Sequence, residues 1–354
     1  MSRFFSSKYS TLVPYTPGEQ PKKQKFIKLN TNESPFPPSR KAQKAVALAT
    51  KSLQLYSDPE CAALTYAVAE YYGLSKDEVL LTNGSDEILN FAFMAFCDKE
   101  HPAVFPDITY GFYKVFAALN GVPFEEIPLC EDFTVNIEDY IGINKTIFIA
   151  NPNAPTGIPL SVAEIERIIE SNPDNVVVID EAYVEFGGES CIPLIHKYDN
   201  LLVTRTFSKS CSMAGARLGF GVGNSELIRD LNTIKYSTNP YNINSMTMAA
   251  GLGTMSDYAY VQKNCKEIIK NREYTASELK KLGFTVLDSC TNFLFVKSDR
   301  LGGELIYSKL REKGILVRHF SAERLNEYNR VTVGSKKQMQ IFIEKIKEIL
   351  EEEK

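Results

Sequence analysis

Residues 175–183 read NVVVIDEAY: an unbroken apolar run, Val176 to Ile179, ends on two adjacent carboxylates, Asp180 and Glu181. A strand that does not alternate polar with apolar has both faces covered, which is the situation of a central strand in a parallel sheet. The flanking sequence supports that reading. TIFIANPNAPTG (146–157) is a strand running into a Pro/Asn loop, and LLVTRTFSKS (201–210) is a strand entering a loop of small residues. EVLLTNGSDEILNFAFMAF (78–96) is a strand, a Gly turn and a helix with Ile88, Phe91, Ala92, Ala95 and Phe96 on one face. Ser161 and Glu164 have capping-box spacing before a helix that ends near Ser171. Strands alternating with helices predict an α/β fold: a mostly parallel central sheet, helices on both faces, and a ligand at the carboxyl ends of the strands.

After about residue 245 the pattern changes to a long helix, the short strands NFLFVKS and NRVTVG, and a terminal helix with Met339, Phe342, Ile343, Ile346 and Leu350 on one face. This predicts a smaller α+β C-terminal domain. The expected division is an N-terminal arm (1–40), rich in proline, a large domain (41–245) and a small domain (246–354). A length of 354 residues agrees with two domains at about 150 residues each.

The net charge of −4 offers no electrostatic footprint for nucleic acid or an anionic membrane, so a small-molecule partner is expected. Seven cysteines without a CxxC pair predict a reduced, cytoplasmic chain rather than a disulfide or zinc scaffold. No run of about 18 apolar residues occurs. His101, His196 and His319 are far apart in sequence, so no metal site is expected.

The strand ends carry the chemistry. In TRTFSKSCSMAGARLGF (204–220), Lys209 is followed by eight residues with one charge, Arg217. Lys209 could simply point to water from a tight loop. Alternatively, Ser208, Ser210 and Arg217 hold a phosphate and Lys209 is an amine held against a carbonyl, as a Schiff-base lysine must be. Gly84, Ser85 and Asp86 open a helix, so their N–H groups either cap it or face an anion. Asp180, at the end of a buried strand, needs a cation or a cap. A carboxylate for a protonated ring nitrogen, the Tyr183 phenol, a lysine for an aldehyde and ligands for a phosphate together describe pyridoxal 5′-phosphate.

These residues also carry a family resemblance. PYTPGE (14–19), KLNTNESPFPPS (28–39), YSDP (56–59), NGSDE (83–87), TYGFY (109–113), NPNAPTG (151–157), DEAYVEF (180–186), TFSKSCSMAGARLGF (206–220) and NRVTVG (329–334) span nearly the whole chain. Jointly they resemble the fold type I pyridoxal-phosphate aminotransferases. The resemblance implies that Lys209 bonds to the cofactor aldehyde, Asp180 pairs with the pyridine nitrogen, Tyr183 bonds the phenolic oxygen and Tyr110 stacks on the ring. It implies that Gly84, Ser85, Asp86, Ser208 and Arg217 hold the phosphate, with Tyr56 reaching it from the second subunit of a homodimer. The family usually has asparagine directly before Pro-Thr-Gly. Ala154 stands there, which leaves Asn153 as the candidate for that role. Arg330 is expected to take a substrate carboxylate or phosphate, with Tyr15 and Arg318 as further phosphate contacts. The expected partners are an amino donor and a 2-oxo acid. Within the family the pattern is similar to members acting on histidinol phosphate with glutamate and 2-oxoglutarate. Members that decarboxylate threonine phosphate share many of the same positions, and an aminotransferase for another amino acid is the third reading that the sequence leaves open.

Overall fold

The computed structural model describes residues 2–21 and 26–353; the parts of the expected arm and acidic tail at 1, 22–25 and 354 lie outside the described residues. The strands are β1 (Ile27–Lys28), β2 (Val79–Thr82), β3 (Ala103–Pro106), β4 (Phe124–Ile127), β5 (Thr146–Ala150), β6 (Val177–Asp180), β7 (Leu201–Thr206), β8 (Gly219–Gly223), β9 (Phe284–Val286), β10 (Phe293–Ser298), β11 (Ile315–Leu316), β12 (Arg318–His319) and β13 (Tyr328–Thr332). The large sheet has the order β2-β8-β7-β6-β5-β3-β4. Its neighbours pair in parallel except around β8, which is antiparallel to both β2 and β7. β6 is therefore central, as its apolar run predicts.

Alternation along the strands explains the two cores. Val177 and Ile179 join Leu201 and Val203 in one cluster, while Val178 joins Leu202 and Phe148 in another. The first face is covered by helices Ala62–Tyr72 and Val162–Ser171, through residues such as Leu64, Val68, Ile165 and Ile168. Helices Ser85–Phe96, Phe112–Asn120 and Ser225–Thr238 cover the second. Full burial of each branched side chain contributes about 1.5–3 kcal/mol, so a charge at Ile168 would break the fold from within. The capping box at Ser161 forms: its hydroxyl accepts from the Glu164 N–H, and the Glu164 carboxylate accepts from the Ser161 N–H. Helix Ser85–Phe96 buries a broader stripe than its expected face, with Leu89 and Phe93 fully covered and Ala95 and Phe96 only partly so. It lies between the sheet and other helices, which demands more than one apolar row.

A four-stranded antiparallel sheet, β12-β13-β10-β9, forms the small C-terminal layer against helices Tyr258–Lys281 and Lys336–Glu352. The terminal helix buries Met339, Phe342, Ile343, Ile346 and Leu350, all five of its expected residues. Two further links tie the parts together. β1 of the arm pairs in parallel with β11, and helix Ser245–Met255 packs on helix Arg40–Ala49 so closely that a Cβ on Gly253 would strike the Ala42 backbone.

Candidate active site

The carboxyl ends of β5, β6 and β7 open into one cleft. β6 delivers Asp180 and then Tyr183, and the loop after β7 delivers Ser208 and Lys209. The turn between β2 and helix Ser85–Phe96 delivers Ser85 and Asp86. Gly84 makes that turn at φ 79°, and a Cβ there would lie 2.6 Å from Arg217 Nη2. Gly219, at the start of β8, likewise leaves no space for a side chain against the Gly84–Ser85 backbone. The glycines thus let three chain segments converge on the first N–H groups of the helix.

Asp180 is 5% exposed and has no cation among the described residues. Its two oxygens accept hydroxyl protons from Thr204 and Tyr113, each at 3.1 Å. Burial pushes its carboxyl up to about 6, against the opposing effect of those two hydrogen bonds. Such a carboxylate favours a proton or a positive partner brought to it. Lys209 Nζ lies 5.7 Å from the Tyr183 ring centroid, and the Tyr183 oxygen accepts from Asn32 Nδ2 at 2.9 Å. Asp86 Oδ1 accepts from the Tyr110 hydroxyl at 2.6 Å and Asp86 Oδ2 from Arg217 Nη2 at 2.8 Å. Arg217 also reaches Ser208 Oγ at 3.5 Å. Burial and the Asp86 charge push the Tyr110 phenol up, so it stays a proton donor.

Of the sequence-predicted residues, Ser85, Asp86, Tyr110, Asp180, Tyr183, Ser208, Lys209 and Arg217 line this cleft, and Gly84 forms its rim. Asn153 does not. Its carbonyl accepts from Thr109 at 2.8 Å and its amide donates to the Ile108 carbonyl and Thr156, so the side chain is spent on holding the loop. Ala154 faces the cleft instead. Tyr56 is also outside it, 85% exposed and stacked on Tyr241 at 4.8 Å. Tyr15 stacks on Phe112 at 4.3 Å, against Gly111. Arg330 and Arg318 sit directly opposite each other on β13 and β12. Both lie over the Phe320 ring, and Arg330 Nε is buried without a partner while Nη2 reaches only the Asn30 carbonyl at 3.3 Å. Like charges opposed across a ladder are destabilising unless an anion joins them.

Sequence reasoning missed Tyr113, Thr204 and Asn32. Tyr113 was visible in TYGFY and Thr204 in TRTFSK, but their value depends on which strand and helix face each other.

The donor set fits pyridoxal phosphate. Among the described residues, a buried carboxylate without a cation suits a protonated pyridine nitrogen, a lysine without a carboxylate partner suits an aldehyde, and serines with an arginine at a helix N-terminus suit a phosphate. The sequence matches the family described as aminotransferase class I and II over residues 24–346, and the chain belongs to that family, whose chemistry depends on pyridoxal phosphate. A histidinol-phosphate aminotransferase of Brachyspira hyodysenteriae is 48% identical over 352 residues, 99% of each chain. Among solved structures, histidinol-phosphate aminotransferase from Sinorhizobium meliloti in complex with pyridoxal-5′-phosphate superposes with a TM-score of 0.85 at 23% identity, covering 93% of this chain and 92% of that one. L-threonine-O-3-phosphate decarboxylase from Porphyromonas gingivalis gives 0.80 at 21% identity over 92% and 99%. The fold is thus shared by both chemistries.

Proposed function

We propose that the protein is a pyridoxal-phosphate-dependent aminotransferase that moves the amino group of L-histidinol phosphate to 2-oxoglutarate, giving imidazole acetol phosphate and L-glutamate. The observation that carries the chemistry is the pairing, in one cleft, of a buried carboxylate with a lysine, the first lacking a cation and the second a carboxylate among the described residues. Near full-length identity of 48% to a histidinol-phosphate aminotransferase supports the substrate.

Bound pyridoxal phosphate supplies an electron sink for the charge left when a substrate Cα loses its proton. The chain's own residues do the rest. Asp180 holds a proton at the pyridine nitrogen, and Thr204 and Tyr113 aim its oxygens. Lys209 Nζ would bond to the cofactor aldehyde and, as a free amine beside the substrate, would serve as the base that takes up and gives back a proton. The Tyr183 hydroxyl donates to the phenolic oxygen. Tyr110 faces the ring, with its own hydroxyl tied to Asp86. Ser85, Ser208, Arg217 and the N–H groups of Gly84, Ser85 and Asp86 hold the phosphate. Arg330 and Arg318 supply planar, forked donors to the substrate's phosphate or carboxylate, with Tyr15 beside them. In this reading the arm (1–40), the large domain (41–245) and the small domain (246–354) work as units, with helix Ser245–Met255 as the seam. Tyr56, being exposed, serves the partner's phosphate in a homodimer. No described helix is long and apolar enough to cross a membrane, and we place the enzyme in the cytoplasm.

The test offers histidinol phosphate, glutamate, aspartate, phenylalanine and threonine phosphate separately to the yellow holoenzyme and records its spectrum. Histidinol phosphate and glutamate convert the cofactor to its amine form. Carbon dioxide release from threonine phosphate, with the aldehyde form retained, would replace this reading by a decarboxylase.

A further inference from the structure

The motif KLNTNESP contains a residue with a larger part than the arm in which it sits. Asn32 is 1% exposed and adopts φ 55°, a left-handed backbone that asparagine tolerates better than most residues. Its backbone N–H donates to Thr332 Oγ1 at 2.9 Å, and Thr332 Oγ1 donates back to Asn32 Oδ1 at 3.1 Å. Its Nδ2 donates to the Tyr183 oxygen at 2.9 Å, and its carbonyl accepts from Asn292 Nδ2 at 3.0 Å.

These bonds orient one another. A hydroxyl that accepts a backbone N–H still has its own proton to place, and Thr332 places it on Asn32 Oδ1. The amide oxygen therefore faces Thr332 and the amide nitrogen faces Tyr183. With an N–H already on the phenol oxygen, the Tyr183 proton is directed away from Asn32. Of the charged groups around the cleft, Lys209 and Arg330 act on Tyr183 as donors, while the carboxylates of Asp180 and Asp86 already accept from Thr204, Tyr113, Tyr110 and Arg217, so none of them is free to take that proton. Ala150, Ala154 and Ala182 line the same cleft and bring only methyl groups. The direction of one phenolic proton thus carries the polar contact that these neighbours lack.

We propose that Asn32 is a positioning residue that fixes the Tyr183 hydroxyl as a donor into the cleft, with Thr332 of β13 setting the amide's orientation. The proposal rests on the reading that Tyr183 meets the phenolic oxygen of bound pyridoxal phosphate. A bond donated to that oxygen stabilises its anionic form, so its loss moves the pH midpoint of the holoprotein's visible absorbance change upward. Asn32→Asp keeps the size and the backbone preference but exchanges the donor for an acceptor, which draws the Tyr183 proton to itself. The expected upward shift is at least half of that produced by Tyr183→Phe. Added to Tyr183→Phe, Asn32→Asp produces no further shift. A shift of full size in that background would come from the new charge alone and would overturn the proposal. Asn32→Gly, which suits the positive φ and adds no charge, and Thr332→Val, which frees the amide to turn, shift the midpoint the same way; Thr332→Ser does not. Melting of the cofactor-free variants measures any loss of fold separately, and variants that lose stability with an unmoved midpoint contradict the assignment. If Tyr183→Phe itself leaves the midpoint in place, the reading of Tyr183 falls and this inference with it. If Tyr183→Phe moves it and the Asn32 variants do not, only the inference falls.

Discussion

Asp180 and Glu181 are adjacent at the end of β6, both are buried, and strand alternation sends them to opposite faces of the sheet. Glu181 lands beside Val203's neighbour Arg205, which donates to it at 2.9 Å and to Glu185 at 2.6 Å. Ser190 and the Cys191 N–H complete its shell at 2.7 and 2.5 Å. Burial pushes its carboxyl up, and the Arg205 charge opposes the push. Asp180 meets the same burial with two hydroxyls and no cation. Two buried carboxylates, one completed inside the chain and one not, separate structure from function more sharply than burial alone. The arginines repeat the contrast. Arg205 is enclosed by its acids, whereas Arg330, paired across the ladder with Arg318, keeps a buried Nε without a partner.

The largest effect expected on the cleft side is from Lys209→Ala, which abolishes turnover while the folded protein still binds pyridoxal phosphate through Asp180 and the phosphate ligands. Retained turnover would move the lysine out of the chemistry. Exchanging the two carboxylates by amides sharpens the comparison next. Asp180→Asn lowers turnover on the order of a hundredfold or more with the urea midpoint hardly lowered. Glu181→Gln costs about 3–5 kcal/mol in urea unfolding, at the lower end because Glu185 still faces Arg205, and leaves turnover per folded molecule near wild type. The reverse pattern would exchange their roles.

For the arginine pair, loss of one charge-assisted contact in a closed site costs about 2–4 kcal/mol, roughly thirtyfold to nearly a thousandfold in kcat/KM. Arg330→Lys slows both half-reactions, while Arg318→Ala slows the phosphorylated substrate and spares glutamate. Equal slowing by Arg318→Ala would remove its claim on phosphate.

The smallest effect is one of pH on the cofactor-free protein. The folded Asp180 carboxyl lies near 6, above about 3.9 for an unfolded aspartate, so the folded state holds a proton that the unfolded state has lost between those values. Stability from this group is therefore present at low pH and falls as pH rises from about 4 to 6, by at most about 3 kcal/mol. Asp180→Asn removes that fall, and saturating pyridoxal phosphate suppresses it by presenting a cation. Urea unfolding of both proteins at the two ends of the window checks the difference.

What the sequence shows and hides follows from distance along the chain. The apolar run Val176–Ile179 places β6 in the centre, and short motifs place Lys209, Asp180 and Ser85, because each depends on a strand end and its own loop. The antiparallel direction of β8 was not legible: GFGVG has no feature that tells its direction. Glu181–Arg205 follows from the β6–β7 register, in which Asp180 faces Thr204, and that register exists only once the strands pair. Asn32 and Thr332 are 300 residues apart, and nothing local marks either. Asn153 follows the same rule: of the three bonds that turn its side chain into the loop, those to Thr109 and Ile108 reach 44 and 45 residues back along the chain, and only the one to Thr156 is local.

The cleft at the carboxyl ends of β6 and β7 is expected to hold an aldehyde cofactor on Lys209. Borohydride reduction of the wild-type holoenzyme, digestion and mass mapping test it directly. The reduced pyridoxyl mass is expected on the peptide containing Lys209 and is expected to be absent from that peptide in Lys209→Ala. A label on any other lysine, or none at all, would contradict it.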